Sequence, residues 1–220
     1  MDERSLSRLV ATPGTAAGRG VAALAAATAY ARTAAAGSCS VVLVEGLSDQ
    51  SALLTLAARS GRNLGEDGVF VVPMGGATNI GHFLARFGPD GFGVKLAGLC
   101  DQAEEDAFRR GLERAGLGSG LSRGGLARLG FYVCVADLED ELIRSLGVAA
   151  VEELIEAEGE LGPFRTFCRQ PAQRGRARAQ QLRRFLGTRS GRKIRYGQVL
   201  AGALDPGRVP DPLSGVLSRV

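Results

Sequence analysis

The chain has 220 residues, 45% of them hydrophobic and 23% charged, with a mean hydropathy of +0.05, which excludes wholesale disorder and fits one folded domain with short extensions. Its longest charge-free alanine-rich run, residues 20–31, is too short to cross a bilayer, so we expect a soluble protein with no membrane contact. Its four cysteines and single histidine form no zinc motif, and we expect the reducing cytoplasm as its compartment. The net charge of +4 is unevenly divided, because residues 1–164 carry a net −7 and residues 165–220 a net +11.

Strand and helix patterns alternate along the first two thirds of the chain. An alanine-rich helix is predicted over 14–36. Short apolar runs then predict strands at 41–45, 69–73, 94–101 and 130–137, and helical patterns follow them at 48–61, 79–88, 104–116 and 138–147. Apolar strands separated by helices are typical of an α/β protein whose parallel sheet is covered on both faces.

The rest of the chain is predicted to be helical. The sequence therefore divides into an N-terminal helical segment (1–38), an α/β core (39–147) and a basic helical extension (148–220). Pro210 and Pro212 are expected to prevent a regular helix in the tail. Glycine-rich residues 119–130 are expected to form a surface loop, and Gly75 and Gly76 a turn, with phosphate contact as the alternative.

Acidic residues stand at the ends of three of the four predicted strands. Glu45 ends the first strand and Asp49 follows it, Asp101 ends the third, and Asp137 ends the fourth, with Glu139 close behind. Carboxyl ends of parallel strands meet at one edge, where so many carboxylates repel one another unless a cation lies among them. Oxygen ligands in that number suit Mg²⁺ or Mn²⁺. For Asp49 alone, capping of the next helix is an equally good explanation.

Cations are concentrated near the C-terminus. Eleven lie between residues 165 and 195 with no acid among them, and this block suits a phosphate backbone, a solvated helix face being the alternative. The predicted DNA-contacting residues are Arg174, Arg176, Arg178, Arg183, Arg184 and Arg192. Lysine occurs only at Lys95 and Lys193, so lysine is not the default cation of this chain.

The segment VVLVEGLSD, with a strand ending in Asp101 and a third acidic cluster, is similar to the Toprim domain of topoisomerases, primases and certain nucleases. The segments GLCDQAEE, DLEDELI and RKIRYGQVLAGAL…VPDPLSGVL resemble the Toprim half of OLD-family (overcoming lysogenization defect) endonucleases. This resemblance covers about residues 39–220 and implies the Rossmann-like Toprim fold.

The resemblance also implies a site of two Mg²⁺ or Mn²⁺ ions. Carried over to this sequence, the metal ligands are Glu45, Asp49, Asp101, Asp137 and Glu139. Glu45 and Lys193 are then the catalytic residues, Lys193 by its place in GRKIRYG. Water would attack a DNA phosphodiester, and Lys193 would stabilise charge on the phosphate oxygens.

Two features depart from the family pattern. Most Toprim domains have Asp-x-Asp after the third strand, but Gln102 and Ala103 follow Asp101 here, so Glu104 or Glu105 would have to replace the lost ligand. The sequence has no GxxxxGK[ST] motif, so we expect a stand-alone Toprim protein whose ATPase partner, if it has one, is a separate chain.

The leading functional hypothesis is a metal-dependent DNA endonuclease. A primase-like nucleotidyl transferase with the same metals is one alternative, and a non-catalytic Toprim scaffold for DNA repair or recombination is another. Tyr196, which could suggest a topoisomerase nucleophile, is interpreted as helix packing. A homo-oligomer is compatible with the sequence.

Overall fold

The computed structural model describes residues 16–33 and 38–220. Four strands form one all-parallel sheet in the order β2-β1-β3-β4: β1 Ser40–Val44, β2 Val69–Pro73, β3 Lys95–Asp101 and β4 Phe131–Cys134. In the register, Val42 pairs with Val71 of β2 and with Ala97 of β3. The parallel sheet, flanked by helices, confirms the predicted fold class.

Helices account for most of the remaining described residues. In chain order they are α1 Ala16–Thr33, α2 Leu47–Arg59, α3 Ile80–Phe87, α4 Glu105–Arg114, α5 Arg123–Arg128, α6 Leu138–Leu146, α7 Val148–Ala157, α8 Leu161–Cys168, α9 Arg178–Leu186, α10 Ser190–Ala203 and α11 Asp211–Arg219. Short 3₁₀ turns lie at Ala77–Asn79, Gln102–Glu104 and Pro206–Arg208.

Each face of the sheet is buried under its own set of helices. Alternate residues of β1 point to opposite faces, so Val42 and Val44 belong to one hydrophobic cluster and Val41 and Leu43 to the other. Helices α2 and α6 to α11 contribute to the first cluster, and α1, α3, α4 and α5 to the second. All four of these β1 residues are fully buried, which explains the unbroken apolar run in the sequence.

The C-terminal helices are built into the same core as the sheet. Tyr196, Leu200, Leu213 and Val216 are fully buried in the cluster that contains Val42. Tyr196 therefore packs inside the protein, as predicted. At the other end of the chain, α1 packs on β2, and the ends of the predicted 14–36 helix lie outside the described residues.

Two local predictions were wrong. Residues 211–219 form helix α11 despite the two prolines, because Pro212 lies in the first turn, where its missing N–H has no helical partner to lose. Within the predicted loop 119–130, helix α5 forms because the Ser122 side chain accepts the Gly125 N–H at 3.2 Å and Leu126 is fully buried.

The four cysteines are free thiols, three of them buried, and burial raises the pKa of Cys39, Cys100 and Cys134. Within residues 16–33 and 38–220, no helix combines the length and the apolar character that a membrane crossing requires.

Candidate functional site

The topology of the sheet brings Glu45 and Asp101 to one edge. In the strand order, β2 lies to one side of β1, whereas β3 and β4 lie to the other side. The order therefore reverses between β1 and β3, and these two strands flank the switch point of the sheet. Val44 pairs with Leu99, and the two acids follow these residues at the carboxyl ends of the strands. Clefts that bind ligands form at this point in open α/β sheets.

Asp49 is held at this edge by the first turn of α2. The Gly46 N–H donates to Asp49 Oδ2 at 2.8 Å, so the carboxylate closes the N-terminus of the helix. The residue is only 7% exposed. The capping role considered from the sequence is therefore present, and it also fixes the carboxylate beside Glu45.

The turn after β2 is occupied by internal hydrogen bonds. The N–H groups of Gly75 and Gly76 both donate to the carbonyl of Glu45, at 3.1 and 3.2 Å. Both glycines have positive φ angles, 72° and 125°. The glycines thus serve a strand-to-helix turn that supports the backbone of Glu45, and these N–H groups are not directed at a phosphate.

Asp137 and Glu139 reach the edge from the start of α6 rather than from β4 itself. The strand ends at Cys134, and Asp137 caps α6 by accepting the Asp140 N–H on Oδ1 at 2.9 Å. Its Oδ2 accepts Arg183 Nε at 2.6 Å. Glu139 is 4% exposed, its Oε2 lies 3.4 Å from Lys193 Nζ, and its Oε1 is buried without a hydrogen-bond partner.

The loop before α6 is tied to the turn after β3. The Gln102 N–H donates to the Ala136 carbonyl at 3.2 Å, and Gln102 Oε1 accepts the Ala136 N–H at 3.4 Å. Ala136 has a φ of 67°, unusual for a residue with a Cβ atom. Gln102 thus links the Asp101 and Asp137 segments, a role that the sequence did not indicate.

The acids considered as replacement ligands differ in their surroundings. Glu105 is ion-paired to Arg123 at 2.5 Å. Glu104 has no ion-pair partner among the described residues, and its negative charge contributes to the raised pKa of Glu45. Of these two acids, Glu104 is thus the one whose charge acts on Glu45 without being paired to an arginine.

Lys193 is placed by the packing of α10 on α2. A Cβ at Gly197 would lie 2.7 Å from the carbonyl oxygen of Ser48, so only glycine lets the two backbones approach this closely. Lys193 lies one turn before Gly197 and faces the carboxylates. Its positive charge opposes the rise in the pKa of Glu45, Asp49, Asp101 and Glu139.

The carboxylates are crowded and partly dehydrated. Burial, together with neighbouring negative charges, raises the pKa of Asp49 to about 6, that of Glu139 to about 7 and that of Asp101 to about 8. Burial also raises the pKa of Glu45. For Lys193, burial alone would lower the pKa, but Glu139, Asp49 and Asp101 outweigh it and raise the value.

These features fit a hard divalent cation. The donor set is made of carboxylate oxygens, and the unpartnered Oε1 of Glu139 lacks the ligand that a buried oxygen needs. No group of three acidic, cysteine or histidine side chains in the described ranges is already gathered tightly enough to hold an ion. Binding would therefore require the carboxylates to draw together.

The arginine block is free of acids in sequence but not in space. Arg178 Nε lies 2.5 Å from Glu152 Oε1, and Arg192 Nη2 lies 2.7 Å from Glu160 Oε1. The Arg192 side chain is only 10% exposed and stacks over the Phe185 ring at 4.1 Å. Sequence reasoning missed these pairs because the acids come from α7 and the turn before α8.

Of the remaining predicted DNA contacts, Arg176, Arg183 and Arg184 line a cleft, and Arg174 is not among the residues that line it. Arg174 Nε donates to the Arg169 carbonyl at 2.9 Å, Arg176 Nε to the Ala172 carbonyl at 2.8 Å and Arg184 Nε to Gln173 Oε1 at 3.1 Å. None of these three arginines has an acidic partner in the described part of the chain. A cleft of about 560 Å³ is lined by Arg176, Arg183, Arg184, Lys193, Asp137 and Glu139. The cleft thus connects the basic surface with Asp137 and Glu139, two of the five proposed metal ligands.

An open parallel sheet with an acid-lined switch point is the arrangement that the Toprim resemblance implies. Residues 38–102 match the family described as overcoming lysogenization defect protein-like, TOPRIM domain. Residues 38–102 are therefore similar to an OLD-like Toprim domain, which confirms the resemblance noted in the sequence. No curated protein matches the chain significantly.

Solved structures share the fold over most of the chain. The C-terminal region of the Xanthomonas campestris pv. campestris OLD protein, phased with platinum, is similar with a TM-score of 0.63 at 22% identity, covering 83% of this chain and 92% of that chain. The C-terminal region of the Burkholderia pseudomallei OLD protein gives 0.62 at 20% identity, covering 82% and 95%.

Proposed function

We propose that the protein is a divalent-metal-dependent DNA endonuclease that hydrolyses phosphodiester bonds. The observation that carries this proposal is a single cleft that is lined by Lys193, Asp137 and Glu139 and also by Arg176 and Arg184. A substrate with a phosphate backbone suits such a cleft, because the arginines attract its charge and the carboxylates hold cations beside it. OLD-like Toprim membership supports the same proposal.

Glu45, Asp49, Asp101, Asp137 and Glu139 would hold two ions, either Mg²⁺ or Mn²⁺. Divalent ions, when bound, supply charge stabilisation for the attacking and leaving oxygens of phosphodiester hydrolysis. The Gly46 N–H keeps Asp49 in place, and the Gly75 and Gly76 N–H groups support the backbone of Glu45. The turns that follow β1 and β2 therefore support two of the five proposed ligands, Glu45 and Asp49.

The cations of the cleft and of the adjoining basic segment bind and orient the DNA. Arg174, Arg176, Arg183 and Arg184 contact phosphates and do not read bases. The ammonium of Lys193 holds a non-bridging phosphate oxygen and stabilises the charge that develops on it. Arg178 and Arg192 pair with Glu152 and Glu160 and do not line the cleft, so we assign them to holding α9 and α10 in place rather than to DNA contact.

Incubation of supercoiled plasmid with the purified chain, with Mn²⁺ or Mg²⁺ and with a chelator, tests the proposal. We expect nicked or linear DNA only when metal is present. Incorporation of labelled nucleotide without cleavage would instead indicate a primase-like transferase, since the same metals serve both reactions. Metal-independent DNA binding without either reaction would indicate a scaffold.

A further inference from the structure

The five proposed metal ligands fall into two sets with different ionic partners. Glu45, which directly follows β1, Asp49 of α2 and Asp101 of β3 form the open set, since no described arginine or lysine makes an ion pair with them. Asp137 and Glu139, at the start of α6, form the closed set, because each is already paired with a cation. Unequal pairing implies unequal readiness to take up a divalent ion.

The closed set is occupied by the protein's own cations. Both oxygens of Asp137 are engaged, Oδ1 by the Asp140 N–H at 2.9 Å and Oδ2 by Arg183 Nε at 2.6 Å. Glu139 Oε2 lies 3.4 Å from Lys193 Nζ, whereas the buried Oε1 has no partner. An unpartnered buried carboxylate oxygen marks a place where a ligand is still missing.

The two closing cations also face the substrate cleft. Arg183 and Lys193 both line the cleft, and their side chains are 42% and 36% exposed. Guanidinium and ammonium groups form charge-assisted hydrogen bonds with phosphate as readily as with carboxylate. A phosphodiester entering the cleft therefore competes with Asp137 and Glu139 for the same two cations.

We propose that a DNA phosphate opens the second metal position by drawing Arg183 and Lys193 away from Asp137 and Glu139. This inference rests on the proposed function and specifies its order of assembly. Without DNA the chain binds one divalent ion, for which Glu45, Asp49 and Asp101 of the open set draw together. With DNA in the cleft it binds two, so the complete site forms only on substrate.

This coupling is reciprocal. If DNA favours the second ion, the second ion must favour DNA by the same factor. The coupling is favourable because of charge. When DNA is absent, Arg183 and Lys193 together neutralise the closed set, and when they have moved to the phosphate, a divalent ion neutralises it instead. Because the second ion binds only with DNA, the complete metal site does not form when water is the only molecule in the cleft.

The test counts bound Mn²⁺ by electron paramagnetic resonance of the free ion, on the whole chain. We expect one Mn²⁺ per wild-type chain, and two for the double variant Arg183→Met/Lys193→Met, because its closed set has lost both counter-ions. Arg189→Met/Lys95→Met is the matched control, since it removes the same charges from exposed positions, and we expect one Mn²⁺. Circular dichroism verifies that each variant is folded.

A second arm uses the wild type with a short phosphorothioate duplex, corrected for Mn²⁺ bound by the duplex alone. We expect the count to rise from one to two. Two Mn²⁺ on wild type without DNA, or a folded double variant that keeps one, would overturn the inference while the proposed function stands. If the double variant does not fold, a wild-type count that stays at one with duplex overturns it. Absence of Mn²⁺ from every sample would defeat the proposed function itself.

Discussion

Gly197 of α10 lies against Ser48 of α2 so closely that a Cβ at Gly197 would stand 2.7 Å from the Ser48 carbonyl oxygen. Ser48 lies one position before Asp49, and Lys193 lies one turn before Gly197. The contact therefore sets the separation between the proposed catalytic lysine and a proposed metal ligand. A C-terminal helix that looks remote in sequence thus becomes one wall of the site.

Gly197→Ala is expected to push α10 away from α2 and to impair both stability and cleavage. Overpacking of this kind costs about 1–3 kcal/mol of unfolding free energy. Gly202→Ala, on the same helix, is the control, because its Cβ would meet only Thr55 Cγ2 at 3.8 Å. Urea unfolding and plasmid nicking measure the two effects. Equal stability and activity for the two variants would show that the close contact does not position Lys193.

Lys193→Ala is expected to lower single-turnover cleavage by about 10²–10³-fold, the effect of losing one donor to the transition state. Lys193→Arg should keep DNA affinity but lose much of the rate, because a planar guanidinium cannot replace a compact ammonium at one oxygen. Measurement at saturating Mn²⁺ separates rate from metal affinity. Wild-type rates in Lys193→Ala would refute the role, and full activity in Lys193→Arg would reduce it to phosphate attraction.

Arg184→Gln is expected to weaken DNA binding and to reduce the log–log salt slope by about 0.9, because its charge has no acidic partner in the described ranges. Arg192→Gln should leave the slope unchanged, since Arg192 is paired with Glu160 and nearly buried. Fluorescence anisotropy with labelled duplex over a range of salt gives both slopes. A larger slope change for Arg192→Gln would mean that the cleft is wrongly assigned.

The Glu160–Arg192 pair is expected to make stability depend on acid pH. Hydrogen bonding from Arg192 lowers the pKa of Glu160 from 4.5, so the folded state binds fewer protons there than the unfolded state. The stabilisation is therefore present above about pH 4.5 and is lost as the pH falls through the folded-state pKa. The difference in unfolding free energy between wild type and Glu160→Gln should shrink between pH 6 and pH 3. A constant difference would show that the pair is not coupled to protonation.

Much of the fold could be predicted because it depends on local patterns. The apolar runs of β1 and β3, and the acids that end them, can be located because strand and helix patterns alternate along the chain. The structure brings these acids, Glu45 and Asp101, to neighbouring strand ends. Asp137 was placed at a strand end, yet it caps α6, because strand and cap are separated by a turn at Ala136 that the sequence does not mark.

The features that were not predicted depend on contacts between distant segments. Arg178 and Arg192 looked like free cations because Glu152 and Glu160 come from elements 26 and 32 residues away. Gly197 lies within a helical pattern, and nothing in the sequence shows that Ser48 packs against it. The sequence predicts that Pro212 breaks a helix, because the sequence alone does not show that α11 begins at Asp211 and that Pro212 lies in its first turn.

The most direct test of the central claim is plasmid cleavage by Glu45→Ala compared with wild type and with Glu66→Ala, an exposed acid remote from the site. We expect Mn²⁺-dependent nicking by wild type and Glu66→Ala. We expect none by Glu45→Ala, which should remain folded because removing one crowded, half-buried carboxylate relieves repulsion. Normal cleavage by folded Glu45→Ala would contradict the metal-dependent nuclease.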